Sequence, residues 1–218
     1  MRTLPVLLLL ALVPAAIYFG MQRDPAARAR FLRRAGLAVM AVVGVMGAAF
    51  IIGETIGDPG GWAAAGYIAS WLLPMLGLVV LAWRWPEPAV RVFAVLTALV
   101  VAMNVWLVAQ PDAWRSFEDD VGPVRAVAVF AVVVPLGALG WRRPLPAGVM
   151  LLVVGLLPLL SLVFLDLASA PRVGGAAVTV VSIPAVVTGL LFVGAAAAER
   201  QRPRPRVDGG HHDQARAA

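Results

Sequence analysis

The chain has 218 residues, 61% apolar and 14% charged, with a formal net charge of +6. A soluble domain carries roughly 45–50% apolar and about 25% charged residues, so this composition excludes a soluble globular fold and points to an integral membrane protein. Cysteine is absent and all eighteen basic residues are arginine, which excludes disulfides, thiolate metal sites, cysteine nucleophiles and lysine Schiff bases.

A helix needs about 20 apolar residues to cross the roughly 30 Å hydrocarbon core. That ruler predicts seven spans, over Leu4–Gly20, Gly36–Ile56, Trp62–Trp83, Ala89–Ala109, Pro123–Trp141, Ala147–Ala168 and Ala176–Ala198. The first is read as an uncleaved helix, because only Met1-Arg2 precedes it and no small-x-small cleavage site follows it. The fifth is short and carries Arg125 near its start. The expected fold is therefore an all-α bundle of about seven transmembrane helices over residues 1–198, followed by a disordered Arg/Pro-rich tail over 199–218 with no apolar residues to bury.

Arginine sets the orientation. With seven spans, one side collects Arg23, Arg28, Arg30, Arg33 and Arg34 in a first loop, Arg84 and Arg91 about the third connection, Arg142 and Arg143, and Arg200, Arg202, Arg204, Arg206 and Arg216 in the tail. The other side holds Arg2, Arg115, Arg125 and Arg172. The positive-inside rule then puts the N-terminus outside and the C-terminus in the cytoplasm. The same distribution assigns the positive charge to membrane topology and not to nucleic acid. Tryptophan agrees with these borders, with Trp83, Trp85 and Trp141 at the inner interface and Trp62 and Trp114 at the outer one. Trp71 and Trp106 fall inside spans and are read as packing or lipid-facing residues. An arginine-, alanine- and valine-rich chain without lysine reads as the product of a GC-rich bacterial genome, so the expected location is a bacterial cytoplasmic membrane.

Two stretches look alike. Glu54-Thr-Ile-Gly-Asp58-Pro59, a helix with Pro74, and Trp83-Arg84-Trp85-Pro86-Glu87-Pro88-Ala89 parallel Glu118-Asp119-Asp120-Val121-Gly122-Pro123, a helix with Pro135, and Trp141-Arg142-Arg143-Pro144-Leu145-Pro146-Ala147. Both run from outside to inside, so a duplication would be a parallel repeat about an axis along the membrane normal; recurrence of Trp, Arg and Pro at helix ends is the alternative. The segments Gly53–Trp62, Trp83–Ala89 and Glu118–Pro123 resemble a group of uncharacterised actinobacterial membrane proteins. That resemblance implies a polytopic bacterial membrane protein and brings no activity, substrate or cofactor.

Charged groups at mid-membrane cost about 2.5–3.5 kcal/mol each on insertion scales, so embedded ones are the first candidates for function. Arg91 is read as structural, snorkelling or pairing with Glu87. Glu54, Arg125 and Asp166 each lie just inside the outer end of a different span, and Asn104 lies about one turn deeper. Together they form a candidate outward-facing polar pocket, with Arg125 paired to Asp166 or Glu54 and Asn104 at its floor. Helical spacing puts Gly44, Gly47, Ile51 and Glu54 on one face, Gly155, Pro158, Leu162 and Asp166 on another, Thr97, Val101 and Asn104 on a third, and Thr179, Ser182, Val186 and Gly189 on a fourth. Small residues at such spacing mark close helix packing. Pro14, Pro74, Pro135, Pro158 and Pro184 sit within five spans and predict irregular helices.

The catalytic inventory is thin. His211 and His212 are adjacent in the tail, and neither a His-Glu-x-x-His helix, a Gly-x-Ser-x-Gly elbow nor a Walker loop is present. No catalytic residue, metal site or cofactor is expected. Three functions stay open: a non-catalytic subunit or assembly partner of a membrane complex, which is favoured; a small-solute transporter with an outward polar pocket; and a lipid-modifying enzyme using carboxylates. The expected partners are the lipid bilayer and other membrane subunits or further copies of the chain.

Overall fold

The computed structural model describes residues 24–57, 61–110, 112–113, 116–117, 124–167 and 175–201. Six long helices account for nearly all of them: α1 Pro25–Gly57, α2 Gly61–Arg84, α3 Pro86–Ala109, α4 Val124–Arg142, α5 Pro144–Leu167 and α6 Gly175–Arg200. No strand occurs among the described residues. The span expected over Leu4–Gly20 lies outside them. Four stretches, Pro25–Gly53, Gly61–Arg84, Pro86–Ala109 and Val181–Arg200, are long and apolar enough to cross a membrane. In α4 and α5 the apolar stretches whose side chains are described, Val127–Arg142 and Pro144–Leu157, are shorter.

The arginine-rich stretch expected as a first loop is helical. Asp24 caps α1 by accepting from the Ala26 and Ala27 amides at 2.9 and 3.2 Å, and Pro25 follows at the first helical position, where its missing N–H costs nothing. At 33 residues, α1 is about 50 Å long and outreaches the hydrocarbon core, so its arginine-bearing turns continue past the apolar part as helix. Likewise Glu199 and Arg200, assigned to the tail, form the last turn of α6.

Two junctions share one construction. A single residue, Trp85, separates α2 from α3, and a single residue, Arg143, separates α4 from α5. Trp85 N–H donates to Leu81 and Ala89 N–H to Trp85; Arg143 N–H donates to Leu139 and Ala147 N–H to Arg143. In each case the following proline starts the new helix without needing an acceptor. Ala89 and Ala147 are fully buried at equivalent positions, as are Phe93 and Leu151 one turn later. The hairpins also pack side by side, α2 against α4 and α3 against α5. This is the arrangement that a parallel repeat of the two similar stretches requires.

Helix α4 is the hub and touches all five other helices. Val132, Val133, Leu136, Ala138 and Leu139 are buried on several of its faces. The outer helices are apolar outside as well as in: Val45, Phe50, Leu73, Val95, Leu99 and Leu160 are exposed. Such surfaces suit lipid and not water.

A bundle in lipid is held by close packing, since lipid tails are as apolar as leucine. Glycines provide it here. A Cβ on Gly47 would run into the Phe130 ring, and one on Gly44 would meet Val134 at 3.1 Å. Phe192 of α6 lies against both Gly36 of α1 and Gly140 of α4. Gly155 faces the Ser182 carbonyl and Val186, and Gly189 faces the Gly148 carbonyl. The stripes through Gly44 and Gly47, through Gly155, and through Ser182, Val186 and Gly189 are thus helix-packing faces where their side chains are described. Trp71 is buried edge-on to Phe130, with ring centres 6.3 Å apart. Trp106 is an outer residue whose indole N–H donates to Gln110 at 3.4 Å.

Candidate functional site

Of the four residues expected in an outward polar pocket, Asn104 has its side chain described. It is 2% exposed. Its Nδ2 donates to the Val100 carbonyl at 2.8 Å, one turn back on the same helix, while Oδ1 has no partner among the described residues. Thr97, seven residues earlier on the same face, is buried with its hydroxyl also unpartnered. Glu54 near the end of α1, Arg125 in the first turn of α4 and Asp166 near the end of α5 all belong to the bundle end toward which Asn104 lies. Their side chains lie outside the described residues, so the expected ion pair does too.

The opposite end collects the arginines. The start of α1, both single-residue junctions and the end of α6 meet there. Arg33 holds them together: one guanidinium nitrogen donates to the Trp141 carbonyl at 3.2 Å and another pairs with Glu199. Its Nε is enclosed without a partner. Glu87, a pair with which is one of the two roles open to Arg91 on the same helix, pairs with Arg143 of the other junction. Side-by-side packing of the two hairpins brings that arginine alongside, a proximity that helical spacing alone does not reveal. Arg142 lies over the Trp83 ring, 5.4 Å from its centre, a cation–π contact joining the same two junctions.

Between α1, the α4–α5 junction and the end of α6 is an open cavity of about 370 Å³, lined by Arg33, Arg142, Arg143, Arg200 and Glu199 with Pro144, Leu145, Pro146 and Ala196 as its apolar wall. Two of the four arginines have carboxylate partners, Glu199 for Arg33 and Glu87 for Arg143. Arg142 and Arg200 have none among the described residues. Sequence reading treats these arginines only as topology markers. The signal available in the sequence is the proline after Arg142-Arg143, which restarts the helix and turns both guanidinium groups toward one junction.

Among the described residues no group of three or more His, Asp or Glu side chains is placed to hold a metal ion. Comparison with family models, with characterised proteins and with solved structures finds no match.

Proposed function

We propose that the chain is a non-catalytic subunit or assembly partner of a membrane complex, crossing a bacterial cytoplasmic membrane seven times with the arginine-rich end in the cytoplasm. One observation carries this reading. The glycines of α1, α4, α5 and α6 named above are spent on the bundle's own packing, whereas α2 keeps an open stripe of small residues. Gly66, Ser70 and Gly77 share one outer face of α2; among the described residues nothing stands within 4 Å of a Cβ built on either glycine, and Ser70 is exposed with its hydroxyl donated to the Tyr67 carbonyl at 2.7 Å. A small-residue stripe with its hydroxyl satisfied at home lets a partner helix approach closely, and van der Waals packing then drives association in lipid.

The test is gentle extraction of the tagged chain from native membranes, with mass spectrometry of what stays bound. The subunit reading expects a stoichiometric partner that is lost from Gly66→Leu/Gly77→Leu and kept by Gly53→Leu, an equally open glycine on α1. A wild-type chain that emerges alone overturns it, as does a partner indifferent to the α2 substitutions.

A permease-like reading draws on the unpartnered Asn104 Oδ1 and Thr97 hydroxyl, which are acceptors for a polar solute inside an otherwise apolar bundle. It expects solute uptake that Asn104→Leu abolishes while the chain stays folded in the membrane.

A further inference from the structure

We propose that the arginine-lined cavity binds a phosphate-bearing anion, the headgroup of an anionic phospholipid, where α1, the α4–α5 junction and the end of α6 meet. This is independent of the subunit reading. Four arginines and one carboxylate line the cavity, and that carboxylate is already engaged by Arg33. Arg142 and Arg200, exposed and without carboxylate partners among the described residues, are left to face an anion. The planar guanidinium matches phosphate oxygens in a bidentate way and keeps its charge at any physiological pH.

The location selects a lipid over a soluble ester. Trp141, a ring type that favours the headgroup level, lies in the last turn of α4 beside the cavity and accepts from Arg33 through its carbonyl. Pro144, Leu145, Pro146 and Ala196 give it an apolar wall along which glycerol and the first acyl carbons can lie. Basic pockets between helices at the cytoplasmic face are suited to anionic headgroups. Arg33 is the positioning residue: its contacts to Trp141 and Glu199 hold the three walls together.

The experiment uses the full chain in detergent and measures binding of dioleoylphosphatidylglycerol, dioleoylphosphatidylcholine and inorganic phosphate by native mass spectrometry and thermal shift. Arg142→Gln/Arg200→Gln removes the two cations without carboxylate partners among the described residues and leaves both ion pairs in place, although it also removes the Arg142–Trp83 contact. Arg91→Gln, an exposed arginine at the same end but outside the cavity, is the control for bulk charge. Wild type is expected to retain phosphatidylglycerol over phosphatidylcholine, the double variant to bind it about tenfold more weakly or worse, and Arg91→Gln to bind it normally. Inorganic phosphate that binds through Arg142 and Arg200 while phosphatidylglycerol does not upholds the anion site and assigns it to a soluble phosphate. Equal binding by wild type and the double variant overturns the proposal, and so does an equal loss from Arg91→Gln.

Discussion

Gly148 of α5 and Gly189 of α6 face each other so closely that a Cβ on either stands 2.9 Å from the other's carbonyl oxygen. Backbone meets backbone there, so neither side has a flexible group that can give way. Gly189→Val is therefore expected to destabilise the bundle by about 1–3 kcal/mol, the usual cost of overpacking, or more because the obstacle is a carbonyl. Gly77→Ala on the open face of α2 is expected to stay within about 0.5 kcal/mol of wild type. Thermal unfolding in detergent, followed by size-exclusion of the surviving fraction, compares the two directly.

Phe192 is fully buried and lies against glycines of two other helices, Gly36 and Gly140. Phe192→Ala empties a space bordered by two glycines that have no side chain to fill it, so it is expected to cost about 3–5 kcal/mol. Refilling is part of the check: Gly140→Ala alone clashes with the ring, but combined with Phe192→Ala it is expected to recover some of the loss. Reversible unfolding of the four proteins gives the coupling, and additive effects would refute the contact.

The Arg33–Glu199 pair joins the first and last described helices, with side chains 24% and 32% exposed. Glu199→Gln leaves the guanidinium half-enclosed with one neutral acceptor, and is expected to cost about 1 kcal/mol. Arg33→Gln/Glu199→Gln is expected to be no worse than Arg33→Gln alone, because the second change then removes an already idle carboxylate. A double-mutant cycle measures this coupling, which is expected to shrink in high salt.

Asn104→Leu is expected to leave stability unchanged or raise it by about 1 kcal/mol, because it removes a buried oxygen that has no partner and a donor satisfied only by its own helix. Unfolding midpoints of the two proteins decide the sign. A large loss would mean that Oδ1 bonds to a group beyond the described residues.

The sequence by itself determined what depends on local chemistry. Apolar length locates the long apolar helices: the expected spans Gly36–Ile56, Trp62–Trp83 and Ala89–Ala109 fall on α1 to α3, and Pro123–Trp141, Ala147–Ala168 and Ala176–Ala198 overlap α4, α5 and α6, while four stretches, on α1, α2, α3 and α6, are long and apolar enough to cross a membrane. Trp-Arg-x-Pro-x-Pro-Ala marks both single-residue junctions, because proline can start a helix and cannot continue one. The start of α1 is also legible in Asp24-Pro25, a cap signal that the arginine density of the turns after it conceals; charge ends a membrane span but not a helix.

Tertiary structure decided which faces meet. The short span over Pro123–Trp141, with Arg125 near its start, is the hub that touches every other described helix, because hydropathy measures affinity for lipid and says nothing about burial among helices that are apolar all round. Glu87 chose Arg143 over Arg91, and Arg33 found Glu199 at a separation of 166 residues, because each pairing depends on hairpins lying side by side. The arginine cavity belongs to the same class: its lining comes from three distant stretches of chain, and only their packing makes it a place.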